Sequence, residues 1–173
     1  MERPPNWNLG RAPAGGDDVA FSGNPAWSTN TLDLPLSLAS LTFTPTAQLF
    51  LVHVSGDGGS SLAFTGLGIQ NLTAITGPIR QQLFADAGTT GGTILFANSS
   101  RINLGISEQL RPVDVTALGG SALGAIGGHI VFQDASSSGR QTFSALRAEG
   151  ASVLGASGAL GLITLGQGRT LET

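Results

Sequence analysis

From Thr31 the chain alternates: Leu32, Leu34, Leu36 and Leu38 fall on one side, with Asp33, Pro35 and Ser37 on the other. A period of two marks a half-buried strand, because successive side chains leave opposite faces. Residues 40–44 repeat the pattern, and residues 49–54 form a more continuous apolar run. Pro45 between them predicts a corner, since proline has no N–H to give a ladder. The pattern then becomes periodic on a larger scale. Gly58-Gly59 leads into Ser61-Leu62-Ala63-Phe64, Gly91-Gly92 into Thr93-Ile94-Leu95-Phe96, and Gly127-Gly128 into His129-Ile130-Val131-Phe132. A fainter copy runs from Gly161 to Gly166 around Leu165. The markers Phe64, Phe96, Phe132 and Leu165 are separated by 32, 36 and 33 residues. Spacing on this scale is the signature of stacked units that cannot bury their apolar faces alone.

Each unit reads as several short strands. A second strand is predicted at residues 69–72, 102–104 and 141–144, and further strands at 82–84, 112–116 and 153–154. Several strands of about five residues each are what one turn of a wound sheet needs. Helix is poorly supported. The best candidate, residues 107–111, stops against Pro112 and is too short to persist alone. Residues 121–126 read as an apolar corner loop, because Gly124 disfavours both helix and strand interiors. The predicted fold is therefore all-β: a single-stranded parallel β-helix, or β-solenoid, with repeats over residues 31–173. Residues 1–30 hold both tryptophans and four of the eight prolines, and are expected to form an N-terminal capping segment or leader with one short strand at Val19-Ala20-Phe21. Corresponding strands of successive units would pair about 4.8 Å apart, setting Phe64 over Phe96 over Phe132, with Leu165 next. Asn71, Asn98 and Asn103 follow strands, where Asn tolerates left-handed turns and suits a side-chain ladder.

Composition sharpens this picture. Only 11% of the 173 residues are charged, against about 25% in an average globular protein. Every basic residue is Arg, and Gly reaches 26. Turn geometry and backbone pairing, not surface ion pairs, must then carry the fold. A net charge of −3 without a basic cluster argues against nucleic acid, which needs concentrated Lys or Arg to displace phosphate counterions. The absence of cysteine excludes a disulfide framework and a Cys-based metal site. Residues 1–5 lack the apolar run of an export leader. Residues 34–56 and 150–168 are long and uncharged but interrupted by Pro, Gly and Ser, so neither is expected to span a membrane. The chain is expected to be soluble.

The stretch Asn6-Trp7-Asn8, with Ala12-Pro13-Ala14-Gly15-Gly16-Asp17-Asp18-Val19-Ala20-Phe21-Ser22 after it, joins with later units to form a recognisable set. Those units are Ser40-Leu41-Thr42-Phe43, Leu62-Ala63-Phe64-Thr65-Gly66-Leu67-Gly68-Ile69-Gln70-Asn71 and Gly92-Thr93-Ile94-Leu95-Phe96-Ala97-Asn98-Ser99-Ser100. Together they resemble bacterial autotransporter passenger regions with Gly-rich β-strand repeats, over most of residues 6–145. The resemblance implies a right-handed parallel β-helix displayed on, or released from, a bacterial surface. The chain departs from that pattern in having no set of amphipathic strands for a membrane barrel.

Candidate chemistry is thin. His53 and His129 have no Asp or Glu near them at metal-ligand spacing, and two histidines alone make a poor site. Both are expected to be structural. Asp57, Asp86, Asp114 and Asp134 fall near different turns, about one per unit. Lining one edge to bind calcium or a sugar is one reading; the simpler one is that Asp suits turns. No catalytic, cofactor-binding or metal-binding residue is assigned, and no cofactor is expected. The expected function is a non-enzymatic, extracellular or cell-surface structural and adhesive module. Its partners are a surface or glycan ligand and the chain itself, stacked head-to-tail into a filament through its ends. The competing class is a carbohydrate-binding or polysaccharide-cleaving protein on the same scaffold.

Overall fold

In a computed structural model, residues 11–24, 29–73, 81–102, 113–120 and 123–136 are described, with the backbone of residues 146–148 and 153–156. Among these, every regular element is a strand: β1 (Asp17–Phe21), β2 (Thr29–Leu32), β3 (Leu36–Phe43), β4 (Leu51–Val54), β5 (Ser61–Asn71), β6 (Gln81–Ala85), β7 (Thr93–Phe96), β8 (Arg101–Ile102), β9 (Val113–Ala117), β10 (His129–Phe132), β11 (Leu146–Ala148) and β12 (Val153–Ala156). They form two sheets. The larger runs β1-β3-β5-β7-β10-β12, with β8 also on β5, and the smaller runs β11-β9-β6-β4-β2. Pairing between strands is parallel throughout, and apart from β7 and β8 successive strands alternate between the sheets.

Parallel register turns the sequence repeat into columns of like residues. Phe64 pairs with Phe96 and Phe96 with Phe132. Their rings stack at 5.1 and 4.8 Å between centroids, and all three are fully buried. Beside them runs Leu36, Leu62, Ile94, Ile130 and Leu154. In the smaller sheet Leu32, Val54, Ala85 and Ala117 form a buried column. One apolar cluster draws on both sheets. A second aromatic group, Phe21 with Phe43 and Phe50, sits at the β1 end, with ring centroids 4.7 to 6.1 Å apart.

Three expectations need correction. The residue in register with Phe132 on the next strand is Ala156, not Leu165; the last interval is thus 24 residues (156 − 132), and Leu165 lies outside the described residues. The Leu32 to Leu38 alternation is not one strand. Leu34 is 60% exposed, because residues 33–35 carry the chain from the smaller sheet to the larger. The Asn ladder is replaced by another device. Asn98 and Asp134 both adopt φ 57°, each two residues past its stacked Phe. Asn98 Nδ2 donates to the Thr65 carbonyl at 2.8 Å, and the Asn98 N–H donates to Asp134 Oδ2 at 3.2 Å. Each turn is thus tied to its neighbour by side chain to backbone, while Asn71 pairs in register with Phe43. Asn103, the helix candidate at 107–111 and the strand at 141–144 lie outside the described residues.

The same turns hold an asymmetric serine pair. Ser136 Oγ lies 2.9 Å from the Phe96 carbonyl oxygen and 2.6 Å from that of Gln133. Ser100, four residues past Phe96 as Ser136 is past Phe132, is equally buried but its Oγ has no hydrogen-bond partner among the described residues. Losing a buried hydrogen bond costs about 1 kcal/mol, whereas removing an unsatisfied hydroxyl costs nothing or stabilises. Ser136→Ala should therefore lower the urea midpoint and Ser100→Ala should leave it unchanged or raise it.

Glycine is required where two units touch. A Cβ on Gly92 would lie 2.2 Å from the Val54 carbonyl oxygen, and one on Gly128 1.9 Å from that of Ala85. Val54 and Ala85 are themselves register partners, so the two contacts are one contact repeated a unit apart. This accounts for the second glycine of the pairs that open β7 and β10.

Candidate functional site

The smaller sheet turns Leu32, Val54, Ala85 and Ala117 into the core, so their strand neighbours Thr31, His53, Phe84 and Thr116 form a column on its other face. The ladder continues one step past the strands, with Ser55 N–H donating to the Leu32 carbonyl and Asp86 N–H to that of Val54, both at 2.9 Å. Asp33, Ser55 and Asp86 therefore follow in line beside that column.

His53 and Asp86 meet there. His53 Nδ1 lies 2.9 Å from Asp86 Oδ1 and 3.1 Å from Oδ2, with both side chains 27% exposed. The imidazole stacks on Phe84 at 4.6 Å and 22°. A carboxylate on Nδ1 orients an imidazole and leaves its other nitrogen for a ligand or proton. The sequence search along local spacing missed this pair. Asp86 is 33 residues from His53, and parallel pairing of β4 with β6 converts that repeat-length separation into a contact. His129 opens β10, between Thr93 and Val153 in register, and its ring makes no hydrogen bond to a described residue.

Asp57, Asp114 and Asp134 do not converge on this pair. Asp57 Oδ1 accepts from Thr89 N–H and Oγ, each at 2.9 Å; these bonds, the backbone one first, hold its carboxyl below the usual range. Asp134 serves the Asn98 turn. Asp114 lies inside β9 in register with Gln82, within the strand expected at residues 112–116. Gln82 precedes Asp86 by four residues, or about 13 Å along a strand. Paired glycosidase carboxyls stand about 5 to 9.5 Å apart. Among the described residues no group of three or more His, Asp or Glu side chains could hold a metal ion, and no helix is long and apolar enough to cross a membrane.

At the far edge Asp17 is held down to about 2, first by the hydrogen bond from Arg11 and then by the Ala14 N–H. A depressed carboxylate contributes stability above its unfolded value near 3.8, and that contribution disappears as pH falls through about 2. Compared with protein-family models, with curated proteins and with solved structures, the chain matches none of them.

Proposed function

We propose that the chain winds as a parallel β-solenoid, capped at its N-terminal end, and serves as a non-enzymatic structural and adhesive module outside the cell or on its surface. The observation that carries this reading is the parallel register of like residues along both sheets, with successive strands alternating between them. Such a stack is stiff along its axis, and its low charge leaves long sheet faces and corner loops as the surface offered to a ligand. The resemblance of most of residues 6–145 to autotransporter passenger regions supports the extracellular setting. End-to-end stacking is the assembly open to such a rod, because a heterologous contact that does not close propagates into a filament.

The His53 and Asp86 pair favours one second reading, a carbohydrate-binding or polysaccharide-cleaving protein that uses the oriented imidazole as a base. Neutral and uronic-acid polysaccharides incubated with the protein are expected to remain intact, while beads coated with the protein adhere to glycan or cell surfaces that bare beads leave. Chain cleavage by the wild type that disappears in Asp86→Asn would install the enzyme reading in its place.

A further inference from the structure

The two edges of the larger sheet differ in how they are closed. β12 has β10 on one side and no described strand on the other. At the opposite edge β1 covers Leu38 and residues 40–43 of β3. The Ser37 carbonyl, just outside that pairing, is met instead by the Gly16 N–H at 2.9 Å. Gly16 therefore sits where a longer β1 would continue, and residues 11–15 lead into it.

What holds that segment is polar and local. Arg11 donates to both Asp17 oxygens, at 2.7 and 3.1 Å, and the Ala14 N–H donates to Asp17 Oδ2 at 2.9 Å. The Asp17 N–H returns a bond to the Ala14 carbonyl at 3.2 Å. Nothing lies within 4 Å of a Cβ placed on Gly15 or Gly16, and Ala14, Gly15 and Gly16 are exposed. A segment held by a few polar bonds, with none of its residues fully buried, is one that can lift. Beneath it, Leu36, Ser37 and Leu38 would then present an open strand edge, the usual template for strand addition.

We propose that residues 11–17 are a latch, closed by Asp17, that guards this edge against a second copy of the chain adding through its β12 edge. The fit comes from the columns: Leu154 of β12 lies in the column of Leu36, Gly155 in that of Ser37 and Ala156 in that of Leu38. β12 carries no charge, so nothing on its sequence opposes the pairing. Asp17 and Asp18 at the closed edge are the kind of charge that discourages it. This inference rests on the end-to-end stacking proposed above.

The chain has no cysteine, so a Ser37→Cys, Gly155→Cys background reports the contact directly. Within one copy these positions are four strands apart, about 19 Å, too far for a disulfide; only two copies stacked as proposed bring them together. Little crosslinking is expected in that background alone. Adding Arg11→Ala, Asp17→Ala or Gly16→Pro, which removes the N–H bonded to Ser37, should raise the covalent dimer about tenfold. Arg11→Ala touches only an exposed pair and keeps the fold, which circular dichroism verifies. Equal crosslinking with and without the latch substitutions overturns the latch while leaving the stacking intact. No crosslinking in any variant overturns both.

Discussion

Phe96→Ala is expected to lower the unfolding free energy by about 3–5 kcal/mol, the range for truncating a buried phenylalanine. Phe96 is fully buried and has a ring on each side, Phe64 at 5.1 Å and Phe132 at 4.8 Å. Truncation leaves a void bounded by two rings on separate strands, whose backbones are held in register by the ladder and cannot collapse into it. Domains of this size are stable by only about 5–15 kcal/mol, so the variant should unfold at a much lower urea concentration. Phe132→Ala should cost about 1 kcal/mol less, since its next column neighbour is Ala156 and one aromatic contact is missing already. Phe84→Ala is the comparison that isolates the cause. Phe84 also stacks on a ring, that of His53, but is only half-buried. Urea curves in which Phe96→Ala costs no more than Phe84→Ala would show that the phenylalanine column is not the centre of the core.

Gly128→Ala should cost about 3 kcal/mol or more, for a reason unrelated to the glycine's own flexibility. The added methyl would stand 1.9 Å from the Ala85 carbonyl oxygen and 2.5 Å from its carbon. That oxygen accepts the Leu118 N–H at 2.9 Å, while the Gly128 N–H donates to the Leu118 carbonyl at 2.9 Å. Neither partner can move without breaking a bond that holds the corner. Gly92→Ala should behave alike against Val54. Gly58→Ala and Gly15→Ala separate crowding from conformation, since a Cβ on either meets nothing within 4 Å. Gly58, at φ +70°, should lose about 1–2 kcal/mol through left-handed strain alone. Gly15 should lose nothing, or gain a few tenths of a kcal/mol from a stiffer unfolded chain. Thermal unfolding of the four variants gives the order, and a Gly128→Ala protein as stable as the Gly15→Ala one would exclude the close approach.

Strand positions were largely legible because their signal is local. Alternation at residues 40–44 overlaps β3 up to its end at Phe43, the apolar run at 49–54 contains β4, and the glycine-led runs are the first residues of β5, β7 and β10. Of the apolar corner expected at 121–126, Leu123 and Gly124 form a turn and Ile126 bridges to Gly88, while residues 121–122 lie outside the described residues. The break at Leu34 was not legible. Its alternation is perfect, yet the chain leaves one sheet and enters the other there, and a period of two carries no mark of which sheet a residue joins. The candidate site was legible in its residues and not in their meeting. His53 and Asp86 were each noticed, but only register makes them neighbours, and register is a property of two strands and not of one.

The amino-acid sequence by itself determined that this protein is built of short strands in recurring units and that Phe64, Phe96 and Phe132 occupy equivalent places, because side-chain alternation and glycine spacing act over a few residues. Tertiary structure alone decided that the aromatic column stops at Ala156, that Asp86 takes hold of His53, and that Asp17 pairs with Arg11. Each of these depends on which strand lies beside which and at what offset, and that choice belongs to the packing of distant segments against one another.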